Sequence, residues 1–333
     1  MNTGAEVGRE DVAQALGFDL SDAQWNAVSA PLEPGVIVAG AGTGKTTSMS
    51  ARVAYLATRG LVDADRVLGL TFTNKAAAQL LSATRSRIAA MGIDGAEPQV
   101  STYNAFAARI VTDYGMRIGR EPTATLLVDG LRHQHAYRLV CTADDESLVE
   151  RLAGIGKSPA AITEQMLALD QELSELSIEP GELIEHDLAL VEKLLELGAE
   201  RGKGREISDA AHRRIALALL IGQWRDYKAA RDLWDYSDQV RLAQQILDRY
   251  PETGEEIRSR FDIVLLDEYQ DTAIAQRRLL QRLFAGGFPV TAVGDPCQAI
   301  YSWRGASVDN IESFPFHFPR ASGDRSARYA LVE

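Results

Sequence analysis

Three observations predict a parallel α/β fold carrying a long helical insert. Residues 36–39, 67–71, 263–267 and 290–294 are short runs rich in Val, Ile and Leu, of strand length. The first three lead into helix-like stretches, 46–58, 75–91 and 275–284. Strands that alternate with helices and are apolar throughout imply a parallel sheet with both faces covered. Between Asp113 and Trp224, helix formers dominate and strand alternation is missing, which predicts a helical domain set into the α/β core. The Pro180-Gly181 pair and Gly202-Lys203-Gly204 are its internal turns.

Bulk properties narrow the class. The chain has 333 residues, 46% of them hydrophobic and 25% charged, enough to bury more than one core. The N-terminal residues are polar and lack the apolar core of a signal peptide. No apolar run is long enough to cross a membrane. The two cysteines, Cys141 and Cys297, have no metal-ligand spacing and suit a reduced, cytoplasmic setting. Cys297 reads as a small buried apolar residue. The net charge of −12 argues against a protein that coats nucleic acid generally, but leaves room for a local groove. Much of the acidity falls between Glu164 and Glu200, as solvated helix faces. Arg85, Arg87, Arg109, Arg117 and Arg120 form a basic counterpart that could line a backbone-contacting surface.

Along the chain, Gly40 to Thr46 follows the first strand and precedes the first long helix. Strand, glycine-rich turn, helix is the context of a phosphate-binding loop. Ala41, Gly42, Thr43, Gly44, Lys45, Thr46 and Thr47 are the candidate nucleotide contacts. The glycines let successive N–H groups converge on phosphate, and the helix adds its positive end. Lys45 reaches the β- and γ-phosphates, and the Thr46 hydroxyl suits Mg²⁺. A glycine-rich turn that only packs a helix on a sheet would not also place Lys and Thr in register. The strand 263–267 ends in two acids: Asp267 is the candidate Mg²⁺ carboxylate and Glu268 the group that polarises an attacking water. After the strand 290–294, Asp295 and Gln298 follow. A neutral amide at Gln298 can hydrogen-bond the γ-phosphate or the water.

Taken together, these motifs resemble the UvrD/Rep/PcrA branch of the superfamily 1 DNA helicases, from Leu20 to Arg304. Leu20-Ser21-Asp22-Ala23-Gln24 is similar to the family's Q motif, which implies that Gln24 reads the adenine edge. Ala39 to Thr46 is similar to motif I and residues 70–77 to motif Ia. Ser101 to Phe106 is similar to the next DNA-contacting motif, with Asn104 where His is usual. Residues 236–238 resemble a weaker motif, and Asp267 to Thr272 resembles motif II. Residues 294–306 are similar to motif III, in a form closer to the RecB and AdnB chains.

The resemblance implies a RecA-like P-loop core, ATP and Mg²⁺ as cofactors, and DNA as partner, single-stranded or duplex. A helicase–nuclease partner subunit is a further implication, as are a bacterial cytoplasmic setting and 3′-to-5′ movement. It also implies DNA contacts at Phe72, Thr73, Asn74, Tyr103, Asn104, Tyr301 and Trp303, with Arg304 near the γ-phosphate. A motor that ignores sequence can grip by base stacking, which the aromatics among these provide. Thr73 and Asn74 can donate to phosphates at a helix start.

The expected organisation is core 1A in two parts, 1–113 and 226–333, with helical domain 1B at 114–225. The second RecA-like domain (2A/2B) is expected to lie outside this sequence, so that the fragment hydrolyses ATP poorly. Two other readings are a non-catalytic DNA-gripping subunit of a helicase–nuclease complex and a small-molecule P-loop kinase. Intact Lys45, Thr46, Asp267, Glu268 and Gln298 weigh against the first. The long insert and the aromatic-rich motifs weigh against the second.

Overall fold

The computed structural model describes residues 7–199, 201–299 and 309–331. It divides into two compact units, 1–109 with 246–333, and 110–245.

The first unit is built on a six-stranded sheet. Its strands are β1 Gly35–Ala39, β2 Val67–Thr71, β3 Gln99–Thr102, β6 Ile263–Leu266, β7 Val290–Gly294 and β8 Ala327–Leu331, where β4 and β5 are the short strands of the second unit (Thr125–Leu126 and Leu233–Trp234). The order is β3-β2-β6-β7-β1-β8, and every pairing is parallel. Strands β2, β6 and β7 are buried at every position, as expected where helices cover both faces. On one face Ile37, Val67, Ile263, Leu265 and Val293 share a core with the helices Arg9–Leu16, Asp22–Val28, Lys45–Thr58 and Asn74–Ala90. This is the RecA-like P-loop architecture. β1, β6 and β7 lie side by side, so their carboxyl ends bring residues 40–47, 267–268 and 295–298 to one edge.

Two strands escape a reading by apolar runs. β3 is short and not fully buried at any position, so it lacks a continuous hydrophobic signal. β8 alternates exposed and half-buried residues because it is an edge strand.

The second unit is helical: Asp129–Cys141, Glu146–Gly154, Pro159–Leu176, Pro180–Glu196 and Lys203–Ala229. Met166, Leu220, Ile221 and Trp224 form the centre of its core. The unit is not wholly helical, because β4 and β5 pair in parallel. The expected return to the core at 225/226 falls inside the helix Lys203–Ala229, and the second unit runs on to residue 245. A buried ion network explains why. The Lys228 amine, 1% exposed, meets Asp235 at 3.0 Å and Asp238 at 2.6 Å, with Asp170 at 3.7 Å. Arg132 reaches Asp235, Arg241 reaches Asp238, and Arg225 reaches Asp170 and Glu179. These pairs tie residues 235–241 to the helical core. Among the described residues, no helix is long and apolar enough to cross a membrane.

Candidate nucleotide site

The site begins with a turn that only glycine makes cheaply. Gly42 (φ 81°) and Gly44 (φ 85°) both adopt the left-handed conformation. Gly44 thereby caps the helix Lys45–Thr58, whose free N–H groups face the loop. Thr43 braces the turn, its hydroxyl donating to the Gly40 carbonyl at 3.0 Å. Ala41 and Gly42 are exposed, and Thr43 to Thr47 are half-buried.

The two halves of the site converge. Lys45 and Glu268 are 223 positions apart, yet the Lys45 amine stands 3.3 Å from Glu268 Oε2. Among the described residues Glu268 is one of three non-glycine residues with positive φ, at 49°. Such a conformation costs about 1–3 kcal/mol and collects at functional sites. The turn aims the Glu268 carboxylate back toward the loop, while its N–H donates to Asp267 Oδ1 at 3.1 Å.

Asp267 is 6% exposed at the tip of β6. Burial, reinforced by the Glu268 charge, pushes its carboxyl up to about 6; the Glu268 N–H and the Lys45 amine pull the other way. A divalent cation alongside would hold it ionised. Hard oxygen donors such as Asp267 and the Thr46 hydroxyl suit Mg²⁺. No group of three or more His, Cys, Asp or Glu that could hold a metal ion is present among the described residues. A Mg²⁺ site completed by phosphate oxygens does not require one.

Gln270 joins motif to motif. Its amide nitrogen donates to Glu268 Oε2 at 2.8 Å, and its oxygen accepts the Asp295 N–H at 3.1 Å. Gly294 makes that approach possible, because a Cβ there would collide with Gln270 Oε1 and Ile311 Cδ1. Asp295 in turn accepts from the Gln298 amide at 2.5 Å and from the Cys297 N–H at 2.9 Å. A Cβ on Gly40 would come 4.0 Å from Asp295 Oδ2, so this second carboxylate borders the loop too. Gln24 also reaches the loop, its amide nitrogen donating to the Thr43 carbonyl at 3.2 Å.

Residues expected on DNA separate into groups. Phe72 is half-buried and Thr73 and Asn74 exposed, at the end of β2 and the start of the helix Asn74–Ala90. Thr73 Oγ1 accepts the Ala76 N–H at 3.1 Å and keeps its own proton as a donor. Asn104 is half-buried, its Oδ1 accepting from Gln276 at 2.9 Å.

Tyr103 is a correction. It is 3% exposed and its hydroxyl donates to the Asp267 carbonyl at 3.1 Å, so its ring is core and does not face a base. Cys297 is a second correction, being exposed. Tyr301, Trp303 and Arg304 lie outside the described residues. Sequence reading missed Arg52, which is buried on the helix that follows the loop and bonds to carbonyls within residues 27–31 and to Thr291. A lone arginine within an apolar helix was the only available signal.

Comparison with known proteins places the chain in a family. Residues 20–319 match the UvrD/REP helicase N-terminal domain. The chain is 30% identical over 318 residues to the ATP-dependent DNA helicase UvrD1 of Mycobacterium leprae, covering 90% of this chain and 36% of that protein. It is 30% identical over 313 residues to the ATP-dependent DNA helicase PcrA of Staphylococcus epidermidis, covering 92% and 37%. The chain thus spans little more than a third of the length of these relatives. With the parallel sheet, the phosphate loop and the paired acids on one edge, the chain belongs to the UvrD/REP helicase family, to whose N-terminal domain it corresponds.

Proposed function

We propose that this chain is the first motor domain, with its helical insert, of an ATP-dependent 3′-to-5′ DNA helicase that serves repair or recombination. The reading is supported above all by the 3.3 Å approach of Lys45, read as the phosphate-binding amine, to Glu268, read as the base. Lys45 and the loop N–H groups bind the triphosphate, and Gln24 takes the adenine edge. Thr46 and Asp267 would hold Mg²⁺, which supplies charge neutralisation at the phosphates. Glu268 orients and deprotonates the attacking water. Gln298 reports on the γ-phosphate, and Gln270 carries that report between Glu268 and Asp295. Phe72, Thr73, Asn74 and Asn104 face single-stranded DNA.

The resemblance implies that a second core domain supplies an arginine finger, worth roughly 10³–10⁵ in turnover. The 333 residues alone therefore bind nucleotide but hydrolyse it slowly. The test is ATPase activity of the full-length protein with and without single-stranded DNA. Strong stimulation by DNA is expected, with a loss of about 10²-fold or more in Lys45→Ala. A wild-type protein that DNA does not stimulate, or a Lys45→Ala variant with full activity, would refute the motor reading.

A further inference from the structure

The helix that carries Gln24, Asp22–Val28, has seven residues, too few to be stable without outside support. Its start is closed locally, with the Gln24 N–H donating to Ser21 Oγ and the Ser21 N–H to Gln24 Oε1. Its end is held by a different element. Arg52 lies about two turns beyond Lys45 on the phosphate-loop helix and is 2% exposed. Its Nη1 donates to the carbonyls of Ala27 (3.3 Å), Val28 (3.2 Å) and Ala30 (2.7 Å). Nη2 donates to the Pro31 carbonyl at 2.7 Å, and Nε to Thr291 Oγ1 at 3.1 Å. Carbonyls at a helix end have no partner within the helix, so this fork completes it. Thr291 lies on β7, the strand that delivers Asp295.

One buried guanidinium therefore joins the Gln24 helix, the phosphate-loop helix and the Asp295 strand. The five oxygens that accept its hydrogen bonds are all uncharged. Burial lowers Arg52 to about 10, which leaves it cationic at neutral pH. Burying a cation among neutral partners is a costly way to pack a core, and an apolar residue would do that better. A planar five-donor fork is suited to fixing several carbonyls at once. Gln24 closes the circuit from the other side through its bond to the Thr43 carbonyl.

We propose that Arg52 is a positioning residue for base recognition: it sets the Gln24 helix at a fixed place relative to the phosphate loop, so that the Gln24 amide selects adenine. This rests on the reading of Gln24 given under Proposed function.

The test compares ATP and GTP as substrates of the full-length protein with single-stranded DNA present. The variants are Arg52→Lys, Thr291→Val, Gln24→Ala and the Arg52→Lys/Gln24→Ala pair, with thermal melts alongside. The wild type should prefer ATP. Arg52→Lys should raise KM for ATP on the order of tenfold while KM for GTP and kcat hold, so that the preference collapses. Thr291→Val should shift it the same way by less. In the Gln24→Ala background, Arg52→Lys should cause no further loss of preference. A parallel fall in kcat/KM for both nucleotides in Arg52→Lys would mean a purely structural role and overturn the proposal. If Arg52→Lys does not fold, Thr291→Val decides, and an unchanged preference overturns it. If Gln24→Ala keeps the wild-type preference, the reading of Gln24 itself fails, and the role of Arg52 with it.

Discussion

Gly294 shows how a single atom can govern a linkage within the candidate site. The residue needs no unusual backbone angle; it needs the absence of a side chain. Gln270 occupies the space where a Cβ would stand and bridges Glu268 to the Asp295 N–H from there. Gly294→Ala should force Gln270 and Ile311 aside, at about 1–3 kcal/mol of stability. Its DNA-stimulated ATPase should fall by more than the lost stability explains, because Glu268 loses its amide partner. Urea denaturation and ATPase assays on the same variant would check both. Near-normal turnover would mean that the Gln270 bridge is dispensable. Glu268 carries the complementary feature, a left-handed backbone that β6 and Gln270 together hold in place.

At the scale of elements, charge is buried where chain segments must be joined. Lys228, on the helix Lys203–Ala229, is enclosed by Asp170, Asp235 and Asp238. Removing one member of such a cluster strands the rest. Lys228→Ala should cost roughly 3–5 kcal/mol, read as a shift in urea midpoint. A shift below about 1 kcal/mol would indicate that water or Arg132 and Arg241 compensate.

The helix Asn310–His317 carries a pH-dependent element. Burial, reinforced by the nearby Arg277 charge, lowers His317 to about 4 from its ordinary 6.5. The folded state therefore binds this proton less readily than the unfolded chain does. Its contribution to stability is complete above pH 6.5 and is lost as pH falls toward 4. Denaturation midpoints should fall between pH 7 and pH 5, and less steeply in His317→Gln. Equal pH slopes in the two proteins would exclude His317 as the source.

Across these 333 residues as a whole, a net charge of −12 disfavours broad contact with an anionic polymer. On the function proposed above, DNA contact by these residues is local and few-phosphate, with stacking and helix-start donors carrying much of it. Each phosphate neutralised on a single strand contributes about −0.7 to the slope of log K against log salt. Titrations of this 333-residue chain with single-stranded DNA should therefore give a shallow slope, roughly −2 to −4. A slope near −7 would require a basic track of about ten contacts and contradict a local grip.

The phosphate loop and the acidic strand end were readable because their chemistry is written in consecutive residues. A loop of set spacing before a helix has few other uses, and two acids after an apolar run, common by themselves, gain meaning in its company. The core strands β1, β2, β6 and β7 were readable for a similar reason, since burial on both faces demands unbroken apolar runs. β3 and β8 lie at the two edges of the sheet, where that demand lapses. Nor could spacing reveal that Tyr103 turns inward to the Asp267 carbonyl, since an aromatic suits a core as well as a base. The extent of the helical unit, past 225 to 245, depends on carboxylates that meet Lys228 only after folding. The amino-acid order alone thus determined the family and the parallel core, and it nominated the candidate nucleotide residues, because each is encoded by local pattern. Which distant groups touch was decided by the tertiary structure: Lys45 on Glu268, Gln270 between two motifs, Arg52 beneath the Gln24 helix. Those contacts follow from strand order and burial, and neither is a property of any short stretch of chain.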